Sequence, residues 1–227
     1  MASVAKIDPA SHGIPIRRLD TIEVPENGCF SFGLVGSTRS GKSCAMLWIW
    51  NQWFKDHITI MTTGSSQSAV YKPLQKSCAI SPSFFTETIK ESMSLNKGTN
   101  NKYKFLHIFD DMLDQKQSKS LSKLLCIGRN CGQSTIFCAQ DLTIMNSIGR
   151  TNYNYMLLFR LNSMMSVEKV VRNYLRHVLP KGSIEDQCKL YNDLTQSHYF
   201  FCVDFLANQT FLCKLDVNEI PGMSGSG

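Results

Sequence analysis

The sequence lacks the segments that carry proteins into or across membranes. No apolar run approaches the roughly 20 residues that span a bilayer, and residues 1–19 have no apolar core of a signal peptide. None of the nine cysteines forms a C-x-x-C pair, so we interpret them as reduced thiols rather than as disulfides or zinc ligands. These absences favour a protein that stays on the side of the membrane where it is made.

The composition is that of an ordinary globular protein. The chain has 227 residues without internal repeats, which suits one compact domain. Its net charge of +6 is compatible with nucleic-acid contact but does not by itself indicate it. We expect an N-terminal arm over residues 1–28, which hold three of the seven prolines. A domain over residues 29–220 and a flexible tail over residues 221–227 complete the predicted organisation.

Strand-like and helix-like segments alternate along the chain. Strands are predicted at residues 30–35, 57–61, 103–109, 134–139 and 155–161, and helices at residues 44–54, 84–93, 121–127 and 167–179. Residues 94–101 are predicted to form a turn-rich loop, and residues 198–204 and 210–215 a C-terminal β-hairpin. This order predicts an α/β fold, in which helices flank a mostly parallel central sheet.

A glycine-rich segment joins the first predicted strand to the first predicted helix. It matches G-x-x-x-x-G-K-S at every position and comprises Gly36, Ser37, Thr38, Arg39, Ser40, Gly41, Lys42 and Ser43. In this pattern the backbone N–H groups and the helix N-terminus bind phosphate oxygens. Lys42 is expected to reach the β- and γ-phosphates of ATP, and Ser43 to supply an oxygen to Mg²⁺. The side chain of Arg39 is left without a role.

Two acids end the apolar strand at residues 103–109. A phosphate loop needs a carboxylate to hold its metal ion, and we assign this role to Asp110, which would act through the water shell of Mg²⁺. Asp111 is placed to polarise the attacking water. A strand that merely ends in a polar turn is the alternative interpretation.

Gln140 follows the apolar strand at residues 134–139. In three-layer P-loop NTPases of the RecA/ASCE-like type, this strand lies between the strand of the phosphate loop and the strand of the acids. Gln140 would then lie near the γ-phosphate and could sense hydrolysis; a generic strand-end glutamine is the alternative. For the arginine that neutralises charge at a neighbouring subunit's site, the candidates are Arg129 and then Arg150, and either could be an ordinary surface arginine.

Together these motifs resemble the FtsK–HerA superfamily, and above all the DNA-packaging ATPases of poxviruses and other large double-stranded DNA viruses. The features that carry the resemblance are the phosphate loop, the Asp110-Asp111 pair, residues 128–134 leading to Gln140, and residues 148–152. The similarity covers roughly residues 28–165. The arm and the C-terminal hairpin contribute nothing to it.

The resemblance implies a motor. Subunits would form a pentameric or hexameric ring around double-stranded DNA and use ATP and Mg²⁺ to drive the DNA into a preformed capsid, in contact with capsid vertex proteins. The host cytoplasm at the site of viral assembly is the implied location, with the virion as a second one. Three lysines that follow the catalytic acids are the candidate DNA contacts, with a solvated polar loop as the alternative interpretation. They are Lys116, Lys119 and Lys123.

Three other classes of P-loop protein are weighed against this hypothesis. A small P-loop kinase normally carries an arginine-rich lid and does not need paired acids at the end of a strand. A GTPase would carry an Asn-Lys-x-Asp motif, which this sequence lacks. A non-viral FtsK/HerA-like translocase or helicase shares the same chemistry, and the sequence separates it poorly from a packaging motor.

Overall fold

The protein is built on one twisted sheet with helices on both faces. The structure, a computed structural model, describes residues 8–25, 28–81, 86–110, 119–144, 151–196 and 199–221. The 8-stranded sheet has the order β3-β2-β4-β5-β1-β6-β7-β8. Its strands are β1 Ser31–Val35, β2 Ile58–Thr63, β3 Cys78–Ser81, β4 Phe105–Asp110, β5 Gln133–Ala139, β6 Tyr155–Leu158, β7 Tyr199–Asp204 and β8 Gln209–Lys214.

The sheet is parallel from β3 to β6 and antiparallel beyond β6. The central strands β1, β4 and β5 are buried along their whole length and are mostly apolar, as is typical of strands covered on both faces. Strand β5 lies between β1 and β4. These findings confirm the predicted α/β fold, the added strand and the C-terminal hairpin.

The helices are α1 Lys42–Ile49, α2 Thr86–Gly98, α3 Lys119–Ile127, α4 Met164–Val170 and α5 Ile184–Gln196. Alternate residues of the central strands enter two separate cores. In β6, Met156 and Leu158 join the core that contains residues of α2 to α5, whereas Tyr155 and Leu157 join the core around α1. The molecule therefore has three layers. Among the described residues, no helix is both long enough and apolar enough to cross a bilayer.

Three predicted details of the secondary structure are wrong or incomplete. Helix α2 continues through most of the predicted loop at residues 94–101, because Asn96 is buried and its side chain bonds the backbone of Tyr103 and Cys131. Strand β3 and helix α5 were not predicted. The predicted helix at residues 167–179 starts earlier, at Met164, and changes to a π-helical turn over Val171–Leu175.

The N-terminal segment packs along the outer strand and beside α1. Ile16 pairs with Leu212 of β8 as a parallel bridge, and the side chains of Leu19 and Ile22 are buried in the core around α1. At the other terminus, Glu219 accepts hydrogen bonds from Trp48 on α1 and from Arg18. The two ends of the described chain are thus joined to each other and to α1.

Candidate nucleotide-binding site

The phosphate loop leaves β1 and is attached to the two neighbouring strands. The backbone N–H of Gly36 donates to the carbonyl oxygen of Ala139, at the end of β5, over 3.0 Å. The N–H and the hydroxyl of Ser37 both donate to the carbonyl oxygen of Arg160, just beyond β6, at 2.8 and 3.0 Å. Three adjacent strand ends therefore fix the start of the loop.

Close packing and positive φ angles set the path of the loop. A Cβ atom on Gly36 would lie 2.5 Å from the Cβ of Phe159 and 2.7 Å from the hydroxyl oxygen of Ser40, so only glycine fits. Arg39 and Gly41 have φ angles of 61° and 99°, in the left-handed region. The second of these turns leads directly into α1, whose first N–H groups have no intrahelical acceptor and are available to an anion.

Two side chains of the loop suit a phosphate group. Lys42 is buried, and its ammonium group donates to the carbonyl oxygens of Gly36 and Ser37 at 2.6 and 2.8 Å, so its charge lies inside the loop. The buried hydroxyl of Ser40 has no hydrogen-bond partner in the described part of the chain. A buried hydroxyl without a partner is costly, and a phosphate oxygen would satisfy it.

Asp110 lies beside this loop at the end of β4 and is almost fully buried. Its Oδ2 accepts hydrogen bonds from the hydroxyl of Ser43 at 3.3 Å and from the hydroxyl of Tyr71 at 2.7 Å. A serine hydroxyl and a carboxylate oxygen are the hard ligands that Mg²⁺ prefers. The residues present therefore fit a magnesium ion at Ser43 and Asp110.

Burial and the nearby carboxylate affect two further side chains of this site. Burial, and then the charge of Asp110, raise the pKa of Tyr71. Burial, and then the same charge, raise the pKa of Cys138 on β5 well above its ordinary value. Both groups therefore keep their protons near neutral pH and donate to the carboxylate. The sequence analysis missed Tyr71, which belongs to no motif and contacts Asp110 across 39 positions of the chain.

Gln140 directly follows β5 and is half-buried at the same edge of the sheet as the phosphate loop. The next residue, Asp141, accepts hydrogen bonds from the backbone and hydroxyl of Thr143 and from Ser166 on α4. Burial raises the pKa of Asp141, but these hydrogen bonds outweigh it, and the pKa lies below its ordinary value. The end of β5 is thereby tied to α4.

Arg129 lies in the turn Gly128–Cys131, which precedes β5. That turn is at the amino edge of the sheet, about 20 Å along β5 from the phosphate loop. Arg129 therefore cannot reach phosphates bound in its own loop. Arg160, by contrast, is exposed next to the loop, and its carbonyl oxygen holds Ser37.

The remaining predicted residues belong to the segments around α3 and β6. Lys119 is the first residue of α3, and Lys123 is exposed on the same helix. Asp111, Lys116 and Arg150 lie outside the described residues. The structure thus brings together the phosphate loop, Asp110 and Gln140, and it separates Arg129 from them.

The sheet order and the site define a class of protein. A phosphate loop after β1, a carboxylate at the end of β4 and β5 inserted between these strands are the features of a three-layer P-loop ATPase. Comparison with protein families then identifies the group within this class. The profile of the Poxvirus A32 protein family matches residues 25–185, and the chain belongs to this family.

Solved structures share this fold at low sequence identity. The genome packaging NTPase B204 of Sulfolobus turreted icosahedral virus 2, in complex with AMPPCP, is 14% identical with a TM-score of 0.58, and the match covers 83% of this chain and 99% of that one. The pCW3 conjugation coupling protein TcpA, with ATPγS, is 14% identical with a TM-score of 0.58, over 88% of this chain and 64% of that one. EssC from Geobacillus thermodenitrificans is 12% identical with a TM-score of 0.59, over 88% and 40%. A comparison with curated protein sequences finds no match.

Proposed function

We propose that this protein is an ATP-hydrolysing motor that moves double-stranded DNA into a viral capsid. The observation that carries the proposal is the contact of Ser43, in the phosphate loop, with Asp110, across the inserted strand β5. It occurs in a member of the Poxvirus A32 protein family, and the B204 protein that shares the fold is a genome packaging NTPase. Phosphate binding and a metal-holding carboxylate are two of the parts that ATP hydrolysis requires.

The residues of the site divide the work of hydrolysis. The loop N–H groups and Lys42 bind and orient the β- and γ-phosphates, and Ser43 and Asp110 would hold Mg²⁺, which would supply neutralisation of the phosphate charge. Asp111 accepts a proton from the attacking water. Gln140 lies at the carboxyl edge of the parallel strands, where the γ-phosphate would be hydrolysed. Asp141 connects that edge to α4 through its hydrogen bond with Ser166.

The position of Arg129 supports a role at the site of a neighbouring subunit. Because this arginine lies at the amino edge of the sheet, it acts on a second copy of the chain or not at all. A ring of subunits around the DNA provides such a neighbour, and Arg150 is the second candidate for the same role. Capsid vertex proteins are the proposed partners of the ring, at the viral assembly site in the host cytoplasm.

The catalytic assignment is tested by Asp111→Asn. The amide cannot accept the proton of the attacking water, so turnover should fall by at least about 100-fold, whereas binding of an ATP analogue should stay within about twofold. Asp56→Asn, at an exposed position after α1, is the matched control and should change neither quantity. Normal turnover by Asp111→Asn would remove Asp111 from the mechanism.

The DNA assignment is tested by changing Lys116, Lys119 and Lys123 together to alanine. Each lysine that contacts a phosphate contributes about 0.9 to the slope of log affinity against log salt. The triple variant should therefore bind double-stranded DNA more weakly and with a flatter salt dependence. The control changes three exposed lysines elsewhere to alanine, so that it has the same net charge as the first variant. These are Lys55, Lys181 and Lys189. Unchanged binding by the first variant would place the DNA elsewhere.

The motor assignment itself is tested by adding DNA. Double-stranded DNA should stimulate ATP hydrolysis and shift the protein towards rings, measured by steady-state turnover and by light scattering after chromatography. A monomer whose turnover ignores DNA would favour the small P-loop kinase instead.

A further inference from the structure

Among the described residues, the hydroxyls of Tyr71 and Ser43 donate to the carboxylate of Asp110, and Tyr71 makes the shorter bond. Its hydroxyl lies 2.7 Å from Oδ2, whereas the hydroxyl of Ser43 lies 3.3 Å from the same oxygen. Tyr71 is 3% exposed and Asp110 is 3% exposed, so water does not compete for this bond. A hydrogen bond from a neutral hydroxyl to a buried carboxylate is among the stronger ones in proteins.

The backbone around Tyr71 is held as firmly as its side chain. The residue ends the 3-10 turn Ala69–Tyr71, which follows β2, the strand next to β4. Its N–H donates to the carbonyl oxygen of Ser68, and its own carbonyl oxygen accepts from the N–H of Leu74, a fully buried residue. The hydroxyl therefore contacts Asp110 from a fixed position in the connection that follows β2.

The two hydroxyl donors differ in what they can do when a metal ion binds. A serine at the end of a phosphate loop uses its oxygen to bind Mg²⁺, so Ser43 must then give up its contact with Asp110. Tyr71 belongs to no metal-binding motif, so its bond to Asp110 can persist. We propose that Tyr71 is the positioning residue that holds Asp110 for the magnesium ion, an inference that rests on the proposed ATPase function.

The position of the shared acceptor supports the same assignment. Tyr71 bonds the same oxygen, Oδ2, that faces the hydroxyl of Ser43 in the phosphate loop, so it holds the side of the carboxylate that is turned towards the loop. This matches the behaviour of groups that orient metal ligands from outside the coordination shell, whose loss commonly costs 10- to 100-fold in metal affinity or activity.

The inference is tested by Tyr71→Phe, which removes the hydroxyl and keeps the packing of the ring. The measurement is binding of a fluorescent, non-hydrolysable ATP analogue during a magnesium titration. We expect the Mg²⁺ concentration for half-maximal binding to rise roughly 10-fold. Binding of the analogue in EDTA should equal that of the wild type, because the phosphate loop and Lys42 are unchanged.

The matched control is Tyr155→Phe. Tyr155 is also fully buried, and its hydroxyl also donates a single hydrogen bond, to the carbonyl oxygen of Glu23. This bond lies away from Asp110, so the control loses a hydroxyl and some stability but should titrate with Mg²⁺ as the wild type does. Equal shifts in both variants would mean that Tyr71 acts only on general stability, and the inference would be wrong.

A double variant provides the second, independent reading. If Tyr71 acts through Asp110, then Tyr71→Phe should change the magnesium requirement by less than about twofold in an Asp110→Asn background. Full effects of both changes in the double variant would overturn the inference. If the wild-type protein bound no ATP analogue at all, the proposed function would be contradicted. If Tyr71→Phe bound the analogue with the same magnesium requirement as the wild type, only the inference about Tyr71 would be wrong.

Discussion

The parallel part of the sheet and its antiparallel hairpin contribute differently to this protein. From β3 to β6 all strands run in the same direction, so their carboxyl ends meet at one edge, where the phosphate loop, Asp110 and Gln140 lie. Strands β7 and β8 alternate in direction and bring no predicted site residue to that edge. The family profile also ends at residue 185, before the hairpin.

The hairpin has a structural role of another kind. Phe201 of β7 and Leu212 of β8 join the core of α2 to α5, whereas Phe200 and Phe211 join the core around α1, so the hairpin extends both cores. Its outer strand would present an unpaired edge, a common route to unwanted association, and Ile16 covers part of that edge by pairing with Leu212. We therefore expect changes at the carboxyl edge of the parallel strands to alter the chemistry, and changes around the hairpin to alter stability alone.

The largest effect is expected from Lys42→Met in the parallel region. The methionine keeps the apolar stem but removes the ammonium group that donates to Gly36 and Ser37 and that would bind phosphate. Loss of such a preorganised charge should lower turnover roughly 10²- to 10³-fold. Steady-state ATP hydrolysis and thermal unfolding, measured on the same preparations, separate the two kinds of effect.

The control for this change is Lys214→Met at the end of the hairpin. Lys214 is exposed and lies over the ring of Tyr199. Turnover should stay within about twofold of the wild type. A large loss of turnover by Lys214→Met would show that the hairpin takes part in the chemistry, and it would remove the distinction between the two regions.

A second effect is expected on the pH dependence of stability, through His107 in the parallel region. His107 on β4 is buried among polar partners, with its Nε2 2.9 Å from Oε1 of Gln133 and 3.3 Å from the hydroxyl of Ser92. Burial lowers its pKa to about 4, against the small opposing effect of Gln133. The folded state therefore resists protonation of this ring between pH 6.5 and pH 4, while the unfolded state accepts the proton.

The sign of the effect follows from this difference. Stability from neutral His107 is fully present above pH 6.5 and is lost as the pH falls towards 4, by about 3 kcal/mol in total. Between pH 7 and pH 4.5, the free energy of unfolding measured with denaturant should fall less for His107→Asn than for the wild type. Some loss remains, because burial also lowers the pKa of His57. His12→Asn, at an exposed position, should follow the wild type; a His107 variant that does the same would contradict this account.

The sequence predicted the parts of the site that belong to contiguous motifs. Gly36–Ser43 specifies its own turn through local residue types, and the paired acids end a strand whose apolar run is visible in the sequence. The place of β5 between β1 and β4 was also predicted. Tyr71 could not be predicted, because its contact with Asp110 depends on how the connection after β2 folds against a strand 39 positions away.

Helix α5 follows a capping pattern in the sequence that could have predicted it. Ser183 precedes the helix and accepts from the N–H of Asp186, while its hydroxyl donates to the carboxylate of Asp186. This reciprocal pairing at a spacing of three residues marks a helix start, and Cys188, Tyr191 and Leu194 follow at helical spacing as buried residues. Strand β3 gave no comparable signal, since its four residues are at most half-buried and show no alternation.

The smallest effect is expected from Glu219→Ala, near the C-terminal side of the hairpin. Glu219 joins Trp48 of α1 to Arg18 of the N-terminal segment, by contacts of 3.1 and 2.9 Å. The pair with Arg18 is exposed to solvent, and such ion pairs contribute little. The variant should lose no more than about 3 °C in melting temperature, with less loss at high salt, and its turnover should be unchanged. Glu91→Ala, at an exposed position on α2, is the control. A loss of turnover would mean that the ends of the chain act on α1 and hence on the phosphate loop, so that the hairpin side would no longer be purely structural.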